Sequence, residues 1–205
     1  MRGAGIEGSS SGNTRKVLAG IDPEIRHVAC IGLMAAGKST VGATIAEALG
    51  WPLVDVDREV EERTGKSVSE LAYEGGEEAY RPWERQVVLD ALDDPERSVL
   101  AAPGGIALDP DARKAIGAMD VVAVYLRANP DTLATRIAQD TDHDRPLIGD
   151  DPLAALRQMY RDRDATYRAL ADIEVRVDGR THDEVAALVL AALDGEATTS
   201  PRSAP

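Results

Sequence analysis

One short run constrains this chain more than any other part of it. Gly32-Leu33-Met34-Ala35-Ala36-Gly37-Lys38-Ser39 matches G-x-x-x-x-G-K-[ST] at every defined position. The apolar stretch leading into it, His27–Leu33, reads as a strand buried on both faces. Thr40–Gly50, which follows, reads as a helix stopped by its glycine. Strand, glycine turn and helix in that order aim successive backbone N–H groups at one point, and the helix adds the positive end of its dipole. Such a concavity suits phosphate. Lys38 has the length to reach the β- and γ-phosphates of a nucleoside triphosphate, and the Ser39 hydroxyl suits Mg²⁺.

The rest of the chain repeats the alternation. Pro52–Asp57, Ser98–Gly105, Asp120–Leu126 and Asp172–Asp178 are short apolar runs. Helical patterns separate or follow them: from Arg58, Ser67–Tyr73, Glu77–Leu92, from Pro130, Arg157–Leu170 and Asp183–Leu193. That order predicts a doubly wound α/β fold of three layers, a five-stranded parallel sheet flanked by helices. The Gly- and Ser-rich start and the small, polar end predict a domain over 26–194, with disordered tails at 1–25 and 195–205. The segment Asp140–Asp151 is polar and turn-rich.

Composition narrows the class of ligand. With 23 basic against 36 acidic residues, the net charge of −13 argues against nucleic acid or an anionic membrane held by bulk attraction. A small anionic substrate needs only a few placed cations and stays allowed. A single cysteine excludes a disulfide framework and a multi-cysteine metal site. A cytoplasmic monomer is the expectation. Asp55-Val56-Asp57 closes the second strand, and alternate strand residues share a face, so both carboxylates are expected at the ligand edge of the sheet. Asp57 read as a helix N-cap is the structural alternative. Arg81 and Arg163 are the side-chain type that grips a carboxylate bidentately.

From Val28 to Leu193 the chain resembles the shikimate kinases, small enzymes of the P-loop kinase fold that phosphorylate the 3-hydroxyl of shikimate with ATP. GLMAAGKST is similar to their first motif, which implies nucleotide contacts at Gly32, Ala35, Ala36, Gly37, Lys38, Ser39 and Thr40. PLVDVD resembles the strand ending in their D-x-D, implying Asp55 in the Mg²⁺ environment and Asp57 on the acceptor hydroxyls. EEAYRPWE is similar to G-E-x-x-F-R-x-x-E and places Arg81 at a substrate-carboxylate position. APGGIAL implies that Gly104 and Gly105 approach the substrate. DRPLI resembles the lid motif and makes Arg145 a phosphate contact, while Arg163 ahead of Tyr167 implies a second carboxylate partner. The resemblance also turns Arg136 and Arg180 toward the nucleotide. Lys38, Asp57 and Arg145 are then the catalytic set, ATP and Mg²⁺ the cofactors, and a polyol acid the partner.

Three positions depart from the family pattern. Ala35 stands where the loop normally has glycine, Ala101 where a Ser or Thr helps hold a metal-bound water, and Pro103 where a glycine triplet begins. They leave two other readings open: a paralogue acting on another polyol acid such as gluconate, or a weakly catalytic nucleotide-binding regulator.

Overall fold

A computed structural model of the chain describes residues 21–140, 148–149 and 151–195. The central strand β1 (His27–Ile31) pairs in parallel with β3 (Ser98–Ala101) on one side and β4 (Val121–Arg127) on the other. Beyond β3 lies β2 (Leu53–Asp55), and beyond β4 lies β5 (Ile173–Arg176). The order β2-β3-β1-β4-β5 is entirely parallel. Every residue of β1 is buried, as a strand with helices on both faces requires.

The helices are α1 (Lys38–Leu49), α2 (Val56–Thr64), α3 (Val68–Gly75), α4 (Glu77–Asp93), α5 (Pro110–Ile116), α6 (Pro130–Gln139), α7 (Pro152–Leu170) and α8 (His182–Leu193). Only the step from β1 to β2 runs toward one edge of the sheet; each later step runs the other way. Right-handed crossovers therefore put α1 on one face and α2–α7 on the opposite face. The last helix, α8, returns to pack on α1 and β5. The reversal of direction beside β1 opens a crevice at the carboxyl ends of β1 and β3, where open parallel sheets take their ligands. Without phenylalanine, the core relies on aliphatics and on the fully buried Tyr80, Tyr125 and Tyr167.

Several boundaries differ from expectation. The second strand stops at Asp55, and α2 starts at Val56. The third stops at Ala101, short of the glycines. The helix carrying Arg163 starts at Pro152 rather than Arg157, capped by Asp151 accepting from the Ala154 N–H at 3.0 Å. The short α5 was not anticipated at all; its Asp109 cap and Pro110 at the first turn are the usual start signals. Ile21, assigned by its surroundings to a tail, is buried in the core.

Candidate active site

The loop between β1 and α1 has the shape its glycines allow. Gly32 and Gly37 have φ of 140° and 94°, and Gly37 caps α1. Ala35 is at φ 59°, the left-handed conformation that glycine takes freely. Lys38 bends back over the loop and donates Nζ to the Leu33 carbonyl at 2.9 Å. Ser39 and Thr40, exposed on the first turn of α1, open the helix beside the loop. Arg136 reaches from α6 to the back of the loop and donates to the Ala35 and Ala36 carbonyls at 3.1 and 3.2 Å.

The turn after β3 forms the facing wall. A Cβ on Gly104 would lie 3.2 Å from the Met34 nitrogen, so the absence of a side chain lets this turn rest on the phosphate loop. Its carbonyl accepts from Arg163 Nη1 at 3.1 Å and from the Tyr167 hydroxyl. Both donors come from α7. That helix is held in register by the Tyr125 hydroxyl donating to Asp164 at 2.9 Å and by Arg127 pairing with Asp164 at 3.2 Å. Arg163 is 8% exposed, and its Nε is buried with no hydrogen-bond partner among the described residues.

Gly105 makes room for the other arginine: a Cβ there would overlap the Arg81 guanidinium. Arg81 donates Nη1 to Glu84 at 2.7 Å and Nε to Glu77 at 3.1 Å. Burial pushes the Glu84 carboxyl up to about 7, against the pull of Arg81, with Asp57 and Glu77 adding to the rise. Two guanidinium groups thus meet the chain at consecutive residues, Gly104 and Gly105, immediately beside the phosphate loop.

The carboxylate pair is arranged differently from the strand reading. Asp55 ends β2 and is the N-cap of α2, yet its side chain makes no capping bond. Asp57 lies in the first helical turn and is exposed, so the two do not share a strand face, and Asp57 is not the cap. The reason is that apolar–polar alternation over three residues fits either the end of a strand or the start of a helix. Asp57 still lies close enough to Glu84 to raise its pKa, which keeps it on the Arg81 side of the crevice. Asp55 is paired in register with Ala101, itself paired with Cys30. The departure at Ala101 is therefore next to the carboxylate expected to serve the metal.

For Mg²⁺ the donor set fits. No cluster of three His, Cys, Asp or Glu occurs among the described residues, but this ion usually takes one or two protein oxygens and completes its shell with water and phosphate. A carboxylate left unused by its own helix cap and the Ser39 hydroxyl supply that kind of donor.

Arg180 is on the exposed turn after β5 and donates to the Arg176 carbonyl at 2.7 Å, a bond within its own turn. Arg145 lies outside the described residues. Two residues had no signal strong enough to single them out. Glu84 was one position of a motif, and nothing in a sequence marks a carboxylate as 3% exposed. His182 opens α8 with its imidazole against Gly37, 3.0 Å from where a Cβ would stand. Trp51 is buried as a packing residue, whereas Trp83 is 42% exposed and outside the core.

The family model for shikimate kinase matches residues 34–194. The shikimate kinase of Thermobifida fusca is 40% identical over 159 residues, spanning 78% of this chain and 90% of that protein. That of Zymomonas mobilis is 36% identical over 172 residues, 83% of this chain and 95% of its own length. Among solved structures, the shikimate kinase from Acinetobacter baumannii in complex with shikimate superposes with a TM-score of 0.79 at 26% identity, covering 89% of this chain and 98% of that one. With the match extending from the phosphate loop to the end of α8, the chain belongs to the shikimate kinase family.

Proposed function

We propose that the chain transfers the γ-phosphoryl group of ATP to the 3-hydroxyl of shikimate. The observation that carries this reading is the convergence of Arg81 and Arg163 on Gly104 and Gly105, against the loop that would hold the triphosphate. An acceptor with a carboxylate at one end and hydroxyls at the other fits between them. Arg163 supports the same reading with a buried N–H that no described group uses.

In such a site the two arginines fix the carboxylate by charge-assisted bonds and so hold the reacting hydroxyl in line with the γ-phosphorus. The acceptor oxygen forms its bond to phosphorus as the bond to the ADP oxygen breaks, and the hydroxyl proton passes to solvent or to Asp57. Lys38 leaves the Leu33 carbonyl and offsets charge on the transferred group, joined by Arg145 from the lid. Ser39 and Asp55 would hold Mg²⁺, which when bound would add to the neutralisation of the phosphates. Arg180 completes the nucleotide side, and the working unit is a cytoplasmic monomer whose domain takes in Ile21 as well as 26–194.

The test is ADP release by the full chain with shikimate, gluconate and nucleoside monophosphates as separate acceptors. Shikimate-dependent turnover is expected, with little release for the others. Turnover confined to gluconate would assign a different polyol acid. ATP binding without turnover on any acceptor would leave a nucleotide-binding regulator as the better account.

A further inference from the structure

The phosphate loop contains a conformation that its own sequence disfavours. Ala35 is the only non-glycine residue with positive φ among the described residues, at 59°. A Cβ in that region is crowded by the backbone, whereas glycine meets no such penalty. A loop free of outside contacts would therefore spend part of its time in other shapes, and a ligand would have to select the one that binds.

One side chain spans this spot. Arg136 Nη1 bonds both the Ala35 and Ala36 carbonyls, at 3.1 and 3.2 Å, while Nη2 reaches the Val177 carbonyl at 3.5 Å beyond the end of β5. In a trans peptide the carbonyl and the following N–H point in opposite directions. Drawing the two carbonyls outward thus turns the N–H groups of Ala36 and Gly37 into the loop, where that of Ala36 meets the Leu33 carbonyl at 3.3 Å. The guanidinium is itself set by α6 on one side and by the strand end on the other. Nη1 alone serves both loop carbonyls, while Nη2 in the same rigid plane ties the group to the strand end; a lysine has one nitrogen and no such second anchor.

We propose that Arg136 is a positioning residue for triphosphate binding: it holds the phosphate loop in the shape that Ala35 disfavours, and it acts through the loop's N–H groups rather than on the nucleoside. The inference rests on the nucleotide reading above. It also gives the arginine a role different from the nucleotide contact that the family resemblance implies.

The experiment is titration calorimetry on the full chain with Mg-ATP, Mg-GTP and Mg-tripolyphosphate, the last having a phosphate chain and no nucleoside. Arg136→Ala should weaken all three by a similar factor, on the order of three- to thirtyfold for the loss of charge-assisted bonds. Adding Ala35→Gly to that variant should recover most of the loss, and the gain from glycine should be larger there than in the wild-type background. Arg136→Lys, which keeps the charge and one donor nitrogen but loses the second that reaches Val177, should fall between, and provides the comparison if the alanine variant folds poorly. In steady state the KM for ATP should rise more than kcat falls. A loss seen with ATP and GTP but absent with tripolyphosphate would assign a nucleoside contact and overturn the proposal, as would additive effects of the two substitutions. Failure of the wild-type chain to bind any of the three would overturn the nucleotide reading and this inference together, whereas binding without glycine rescue would overturn this inference alone.

Discussion

The hydroxyl of Tyr80 is buried on α4 next to Arg81, and no described group hydrogen-bonds to it. Folding strips its water and no described residue replaces it, a loss of about 1–3 kcal/mol for a buried unsatisfied group. The ring itself is well placed, packed in the core with the Arg81 guanidinium 4.8 Å from its centroid. Tyr80→Phe keeps that packing and deletes the orphan, and the family motif carries phenylalanine at this position. The variant should be more stable by about 1 kcal/mol, read as a higher urea midpoint with an unchanged slope. A lower midpoint would mean that the hydroxyl has a partner after all. The presence of a tyrosine here is plain in the sequence; that its oxygen has no partner is a fact about the packing of α4 and could not be read from spacing. The same holds for Glu84, whose pKa of about 7 comes first from burial and only then from its charged neighbours.

At the scale of elements, the turn after β3 does two separate jobs with adjacent glycines. Gly104 lets the turn sit on the phosphate loop, and Gly105 leaves space for Arg81. Gly105→Ala should displace the end of a flexible side chain, with little effect on stability, and should raise the acceptor KM by about tenfold, the value of a charge-assisted contact. Gly104→Ala pushes instead on the backbone of Met34, so it should weaken ATP binding as well. Separate ATP and acceptor titrations of the two variants check this; identical profiles would mean that the turn moves as one piece. The unit from β1 through α1 was legible because its motif requires a strand before it and a helix after it. The boundary at Asp55 was not, since three residues cannot distinguish period 2 from period 3.6. The short α5, seven residues long, shows barely two turns of period and was missed although its capping residues were in view. The reach of Arg136 to the loop joins elements far apart in sequence, and only the fold reveals it.

Across the whole molecule, two buried ionisable groups make stability depend on pH with opposite signs. Glu84 has its pKa raised from 4.5 to about 7 by burial. Folding therefore favours its protonated form, and that contribution is complete below about pH 4.5 and lost as pH rises to about 7. His27 sits at the start of β1, bonded through Nδ1 to Ser98 at 2.9 Å, with its pKa lowered by burial and then by Arg26. Its contribution is present above about pH 6.5 and lost as pH falls. Glu84→Gln removes the first effect and leaves the second. Relative to that variant, the wild-type chain should lose stability between pH 5 and 8, on the order of 1–3 kcal/mol. Denaturant midpoints of both proteins at several pH values test the sign; parallel curves would mean that Glu84 is ionised throughout.

The central strand also gives the protein a built-in clock. Cys30 is the only cysteine in the chain, fully buried between β3 and β4, and burial pushes its thiol up to about 12. At neutral pH it is a thiol rather than a thiolate, and no reagent can reach it while the sheet is closed. Alkylation of Cys30 therefore reports opening of the core around β1, whether helices lift from the sheet or its strands separate, and gives the opening rate where labelling outpaces reclosing. The intact mass of the protein, followed over hours with a maleimide present, times the opening of its core without any engineered probe.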